Sequence, residues 1–444
     1  MTNDRRPNVL LICTDHWPGR LLGCAVGKMH VFPQRDRCGF DDVWLDESGR
    51  CLSDDYQMFL ADNGHPGEMY LHGCSNNGYE VKPWHLEEGL HQTNWTADAM
   101  SRMIKRRDPA KPAFWYLSFA KPHPPLTPPQ WYIDLYRGQD IDLPVIGAWA
   151  QDVQALPGAV HQRTQCGFWM NDADIRLARA AFYGACTHID HCLRSVLGTL
   201  RNEGLLDDTI LVFTSDHGDN LGNHHIWKKG NFHEWSANIP LVFGGKPVAE
   251  RLGGIGAEVG QVDERLIGQA DLMPSLLDLC GLPVPGHVDG ISAFGPERRS
   301  HVYGDMDLWQ CGMRAIIEER FKCLWYPGGN RWQLFDLQED PDELHDLSGD
   351  PAQADTLARM RGMIAARLRG RDQDDWVRDG QLVGMAYEHG RWAGESLQAR
   401  RSERPALPSH RGWRRALRTV ADLLIRSVPA NGWAAVRSDG GRPC

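Results

Sequence analysis

Short apolar runs alternate with polar stretches that begin or end on Gly, Asp or Pro. Val9 to Cys13, Ala113 to Phe119, Ile210 to Thr214 and Ile239 to Phe243 have the length and composition of buried parallel strands. From Asp172 to Glu203 the period changes. Ala178, Ala181, Ala185, Ile189, Val196 and Leu200 recur at helical spacing, and the Gly of the following EGLLDD supplies a stop. A second helix is expected from Asp271 to Cys280, ended by Gly281 with Pro283 beyond it. Strands interleaved with helices predict an α/β chain.

After about Pro296 the texture differs. RAIIEERFKCLWYPGGNRWQLFDL reads as strand, turn, strand around Pro327 to Asn330, and the polar turn QEDPDELHDL follows, which predicts a small antiparallel subdomain. Farther on, Arg400, Arg401, Arg404, Arg411, Arg414, Arg415 and Arg418 accompany an apolar stripe of Trp413, Leu417, Val420, Leu424 and Val428, the pattern of a basic amphipathic tail helix. The expected organisation is residues 1–295, 296–385 and 386–444.

Composition narrows the function. The formal charge of -10, from 58 acidic and 48 basic residues, argues against a nucleic-acid binder and confines anion binding to a local basic pocket. Twelve Cys without CxxC pairs or zinc-ligand spacing read as free thiols of a reducing compartment. The N-terminal apolar run is too short for a signal sequence and lacks a small-residue cleavage site, so a cytoplasmic location is expected. No stretch approaches the roughly 20 apolar residues of a membrane span. Oligomeric state is not readable.

The chemistry gathers at strand ends. NVLLICTDHW and TILVFTSDHGD each deliver an Asp where an apolar run stops, and ligands of open α/β sheets sit beyond the carboxyl ends of parallel strands. Asp15 and Asp216 are candidate oxygen ligands with His217 beside them, a set that suits a divalent cation, calcium first and magnesium next. The alternative is that each Asp caps a following helix. Lys28, His30, His123 and Lys229, with Lys228 as neighbour, supply donors for a tetrahedral oxyanion such as a sulfate or phosphate ester. Pro122, Pro124 and Pro125 stiffen the segment carrying His123.

In order along the chain, NVLLICTD, AVGKMH, GFDDVW, FWYLSFAKPHPPLTPP, EGLLDDTILVFTSDHGDNLGNH, IWKKGNFHEWSANIPLVF and WQLFDLQEDPDELHDL resemble the sulfatase family of the alkaline phosphatase superfamily. The resemblance runs from about Pro7 to Leu347. It implies an α/β/α sandwich around a mostly parallel sheet with a smaller C-terminal subdomain, a divalent metal usually taken as calcium, and hydrolysis of sulfate esters. Carried over by position, Asp15, Asp216 and His217 are metal ligands, and Lys28, His30, His123 and Lys229 contact the sulfate. His30 or His123 would transfer protons, and Lys229 would assist the leaving group.

Two departures bear on activity. Where the family often has a second Asp after the first, this chain has His16. It also lacks the CxPxR motif whose Cys becomes the formylglycine nucleophile. Cys13, Cys24, Cys38, Cys51 and Cys74 are the nearby thiols, and none is followed by Pro and Arg at those positions. Only His16 to Cys24 separate Asp15 from AVGKMH, too few for the roughly 10 to 12 residues of a helical crossover, so a contiguous block is missing near residues 24–25. The expected function is a metal-dependent sulfate-ester hydrolase of impaired activity, with residual attack by water. The alternatives are a noncatalytic metal- and anion-binding protein, and a phosphate or phosphonate ester hydrolase on the same fold.

Overall fold

The computed structural model describes residues 6–14, 23–48, 54–156, 170–306, 312–368 and 370–387. Its main sheet has six strands: β1 (Asn8–Thr14), β2 (Cys24–Gly27), β3 (Asp42–Leu45), β4 (Phe114–Phe119), β5 (Thr209–Ser215) and β6 (Leu241–Gly244), in the order β3-β2-β4-β1-β5-β6. All pairings are parallel except β5 with β6.

Period-two alternation sorts the side chains of β1 into two cores. Leu10 and Ile12 join Leu117, Phe119 and Val26 beneath the helices Asp55–Asp62, Gln92–Lys105 and Asp172–Asn202. Val9, Leu11 and Cys13 face the other way and meet Val248 of Lys246–Gly254 and Leu272, Leu276 and Leu279 of Leu272–Leu279. Helices therefore cover both faces, giving the expected α/β/α sandwich. Both helix stops form as the Gly spacing required: Gly204 (φ 67) and Gly281 (φ 65) are left-handed, and the N–H of Leu205 and of Leu282 reach back to Leu200 O and Leu277 O at 2.8 Å.

One strand departs from expectation. The run Ile239 to Phe243 was expected as a buried parallel strand, whereas β6 is antiparallel at the sheet edge with Val242 56% exposed. An apolar run of this length carries no information about strand direction. The segment before it, residues 216–240, returns through loops and the short turns Asn223–His225 and Glu234–Ala237 rather than a crossover helix.

A second sheet, order β10-β9-β8-β7, is antiparallel throughout: β7 (Val302–Met306), β8 (Met313–Ile317), β9 (Phe321–Tyr326) and β10 (Arg331–Asp336). The expected turn falls between β9 and β10, with Gly329 (φ 75) and Asn330 (φ 47) left-handed. The helix Ala354–Arg367 covers one face through Leu357, Met360 and Ile364. The joint to the main sheet is ionic. Lys322 is fully buried between Glu343, at 2.9 Å and itself fully buried, and Glu234, whose backbone N–H donates to Glu343 Oε2 at 2.8 Å. The basic tail expected over 386–444 lies, from residue 388 on, outside the described residues. Among the described residues no helix is long and apolar enough to cross a membrane.

Candidate active site

Several of the candidate side chains follow the carboxyl ends of the main-sheet strands. Thr14 pairs with Ser215 of β5 and Phe119 of β4, and Gly27 of β2 pairs with Ser118. Parallel register thus ends four strands along one line: Asp15 follows β1 in sequence, Lys28 follows β2, Asp216 follows β5, and His123 comes shortly after β4. Adjacent strands lie about 4.8 Å apart, so the ends of β2 and β5 are separated by roughly 14 Å.

At the end of β5, the Asp216 side chain is 4% exposed and accepts the His217 backbone N–H at 2.8 Å. Its other oxygen, Oδ2, lies 3.1 Å from His217 Nε2. His217 Nδ1 faces Gly218 O at 2.8 Å, so Nδ1 is the donor nitrogen. Nε2 donates to Asp216 Oδ2 when the ring is protonated, and in the neutral ring it carries a lone pair beside the carboxylate. A carboxylate oxygen next to an imidazole nitrogen is a donor set that fits a divalent ion. No helix follows Asp216, so the capping alternative does not apply to it.

The loop is fixed around this pair. Gln269 Nε2 donates to Asp216 O at 2.5 Å, and Ser215 Oγ donates to His217 O at 2.8 Å. Gly218 donates to Ser236 O at 2.8 Å, and a Cβ there would sit 2.1 Å from Trp235 O, so only glycine fits. Among the described residues no three His, Cys, Asp or Glu side chains converge as metal ligands. Asp15, the expected third ligand, and His16 lie outside the described residues.

Farther round the same loop, Asp219 accepts from Tyr79 Oη and from the Leu221 backbone N–H at 2.9 Å. Burial pushes its carboxyl pKa up, while Tyr79, the Leu221 amide and the Lys229 ammonium pull it down. Lys229 therefore stands beside an internal carboxylate. Lys228, the neighbour kept as an alternative, is buried with left-handed backbone (φ 64), and its carbonyl accepts from Asn220.

At the β2 end, Gly27 (φ 104) passes so close to β4 that a Cβ would fall 1.7 Å from Ser118 O, and the Lys28 N–H then donates to that oxygen at 3.2 Å. This explains the Gly before Lys28. The Lys28 side chain is fully buried and lies near Asp46. Burial raises the Asp46 pKa to about 7, Asp54 adds to the rise, and Lys28 and Lys121 oppose it. His30 is exposed, with φ 50, and its N–H donates to Glu47 Oε1 at 2.9 Å.

His123 follows β4 and is 8% exposed, with Nδ1 2.7 Å from Pro124 O, so Nδ1 is the donor and, when the ring is neutral, the lone pair lies on Nε2. Lys121 braces this segment by donating to His123 O at 3.0 Å and Pro125 O at 2.7 Å. Beside it, burial first and Lys121 next hold His72 down to about pKa 4, a neutral ring at working pH.

Cys24 begins β2 beside Trp115, at the opposite edge of the sheet from Lys28, roughly 13 Å along the strand. Cys13 is 1% exposed in an apolar layer, burial raises the Cys74 pKa, and Cys51 lies outside the described residues. Asp46, Glu47, Lys121, Asp219 and Tyr79 were not singled out from the sequence. The second Asp of SDHGD was the one available signal.

The Sulfatase family profile matches residues 26–282, and that of the N-sulphoglucosamine sulphohydrolase C-terminal region matches 222–369. The chain belongs to the sulfatase family. An arylsulfatase of Clostridium perfringens is 31% identical over 379 residues, covering 79% of this chain and 76% of that protein. A choline-sulfatase of Rhizobium meliloti is 31% identical over 280 residues, 60% of this chain and 52% of its own. Among solved structures, a phosphonate monoester hydrolase of Agrobacterium radiobacter superposes with a TM-score of 0.65 at 20% identity, over 86% of this chain and all of that one, which speaks for the fold. The family match opens at Val26, inside β2.

Proposed function

We propose that this sulfatase-family chain binds sulfate esters at the carboxyl edge of its main sheet and hydrolyses them slowly, with a divalent cation, calcium first, held by Asp216, His217 and Asp15. The observation that carries the reading is the approach of His217 Nε2 to Asp216 Oδ2 at 3.1 Å, at the strand end in register with the residue before Asp15. Lys28, His30, His123 and Lys229 are the proposed sulfate donors, with proton transfer by His30 or His123 and leaving-group assistance by Lys229. When bound, the cation offsets charge on the ester oxygens and lowers the pKa of nearby water. The lone-pair-bearing Nε2 of His123 suits it to accept a proton from attacking water. Lys229, whose ammonium acts on the Asp219 carboxylate, is the proposed donor to the departing alkoxide.

The absence of CxPxR favours a second reading, in which the pocket binds anion and metal without turnover. Cys24, at the far edge of the sheet, offers no substitute nucleophile. The test is hydrolysis of 4-nitrophenyl sulfate with and without calcium by the wild type and by Asp216→Ala. Calcium-dependent turnover above the variant is the expected result. Turnover equal in both proteins, together with calcium-induced stabilisation of the wild type alone, would instead select the noncatalytic reading. Preference for 4-nitrophenyl phosphate would make the protein a phosphate or phosphonate ester hydrolase. The cytoplasm remains the proposed location, testable by fractionating cells that express the chain.

A further inference from the structure

The segments that follow β2 and β3 run side by side. Gly27 pairs with Leu45 in parallel register, and the Asp46 N–H donates to Gly27 O at 3.1 Å, so the pairing continues one residue past both strands. Glu47 then turns back on its neighbour. Its Oε1 accepts the backbone N–H of Met29 at 2.8 Å and that of His30 at 2.9 Å, and one carboxylate oxygen thereby closes over two successive amides. Consecutive N–H groups that converge on one point make a concavity for an anion, and here the chain's own carboxylate fills it. Hydrogen bonds to an ionised acceptor are roughly twice as strong as neutral ones.

The clasp is buried and the residue it holds is exposed. Glu47 is 3% exposed and Met29 2%, whereas His30 is exposed and left-handed, with φ 50. That backbone conformation is uncommon for a residue with a side chain and persists where the surroundings impose it. The bond from the His30 N–H to Glu47 fixes the peptide plane from which this φ is measured. Because the contact is made by the His30 backbone, it directs the imidazole without consuming either ring nitrogen.

Glu47 is itself anchored. Its N–H donates to Asp54 Oδ2 at 2.9 Å, and Asp54, fully buried, caps the helix Asp55–Asp62 by accepting the Gln57 N–H on Oδ1 at 2.8 Å. A helix start, its capping Asp and Glu47 are thus linked by hydrogen bonds to the backbone of His30. We propose that Glu47 is the positioning residue that aims the His30 imidazole at the sulfate group, a role that rests on the carboxyl-edge reading of His30. Glu47 acts through two amides, so an acceptor of the same length and shape can replace it and a shorter one cannot.

The test is calorimetric titration of the full chain with sodium sulfate in the presence of calcium. The proteins are the wild type, Glu47→Ala, Glu47→Asp, Glu47→Gln, His30→Ala, the double variant Glu47→Ala with His30→Ala, and Asp216→Ala. Glu47→Ala should weaken sulfate about tenfold, as His30→Ala does, and the double variant should be no weaker than His30→Ala alone. Glu47→Gln, whose Oε1 can accept the same two N–H groups, should return to within about twofold of the wild type. Glu47→Asp should bind as poorly as Glu47→Ala, and it takes the place of that variant throughout if Glu47→Ala does not fold. Wild-type affinity in Glu47→Ala and Glu47→Asp, with His30→Ala weakened, would overturn the positioning role and leave the carboxyl-edge reading standing. Additive losses in the double variant, or a Glu47→Gln as weak as Glu47→Ala, would overturn it too. Wild-type affinity in both His30→Ala and Asp216→Ala, or no binding to the wild type at millimolar sulfate, would remove the carboxyl-edge reading and the positioning role with it.

Discussion

The joint between the two sheets and the carboxyl edge of the main sheet both bury charge, in opposite styles. At the joint, Lys322 lies between Glu343 and Glu234, so the cation meets its counter-charges inside the chain. At the edge the charged groups are spread over several strand ends: Asp216 beside His217 at the β5 end, Lys28 and Lys121 near Asp46 at the β2 and β4 ends. The first arrangement fixes geometry. The second gathers its charged groups where β2, β4 and β5 end. Acid separates them too. His224 and His233 at the joint are held down by burial to about pKa 4 and 3, whereas Asp46 at the edge is held up to about 7.

The largest expected effect is at the joint. Lys322→Met leaves the Glu343 carboxylate buried without its cation, and should cost about 3–5 kcal/mol in urea unfolding. A loss below roughly 1 kcal/mol would erase the contrast between the two regions. Next comes Asp46. Its folded pKa lies above its unfolded value, so its favourable contribution is full below about pH 4 and is lost as pH rises through about 7. Relative to wild type, Asp46→Asn should therefore gain stability between pH 5 and 8, on the order of 2–3 kcal/mol. A pH-independent difference between the two proteins would refute that assignment.

His233 works in the other direction. Its folded pKa lies below the unfolded value, so stability is present at neutral pH and falls as the unfolded chain takes up protons below about 6.5. His233→Gln should reduce the loss between pH 7 and 5 by about 2 kcal/mol. The smallest stability change belongs to Asp216→Ala, about 1 kcal/mol or less without calcium. That variant should nevertheless lose the calcium-induced rise in melting temperature expected of the wild type. Persistence of that rise would place the cation elsewhere.

Much of this contrast was legible along the chain. Apolar runs that stop on polar residues pointed to Asp216, His217, Lys28 and His123 as candidates, and Lys229 came from the His- and Lys-rich segment His224 to Glu234. The long helix and the β9–β10 turn followed from period and punctuation. The direction of β6 did not, since a four-residue run does not encode its partner. The partners of the charges were also hidden. Tyr79 meets Asp219 across 140 positions, and Lys322 meets Glu234 across 88, with no local pattern linking them. Lys121 looked like a polar residue ahead of prolines, and only the fold brings its ammonium onto the His123 and Pro125 carbonyls.

The strand order has a consequence for biosynthesis. β1 is made first, yet its neighbours are β4, starting at Phe114, and β5, starting at Thr209. At ribosomal rates of about 5–20 residues per second, the nascent β1 waits roughly 10 to 40 s for its second neighbour. For that time NVLLICT is an apolar ribbon with open edges, prone to pair with copies on neighbouring ribosomes. Yield of soluble protein should accordingly rise with cooler growth and with added trigger-type holding chaperones.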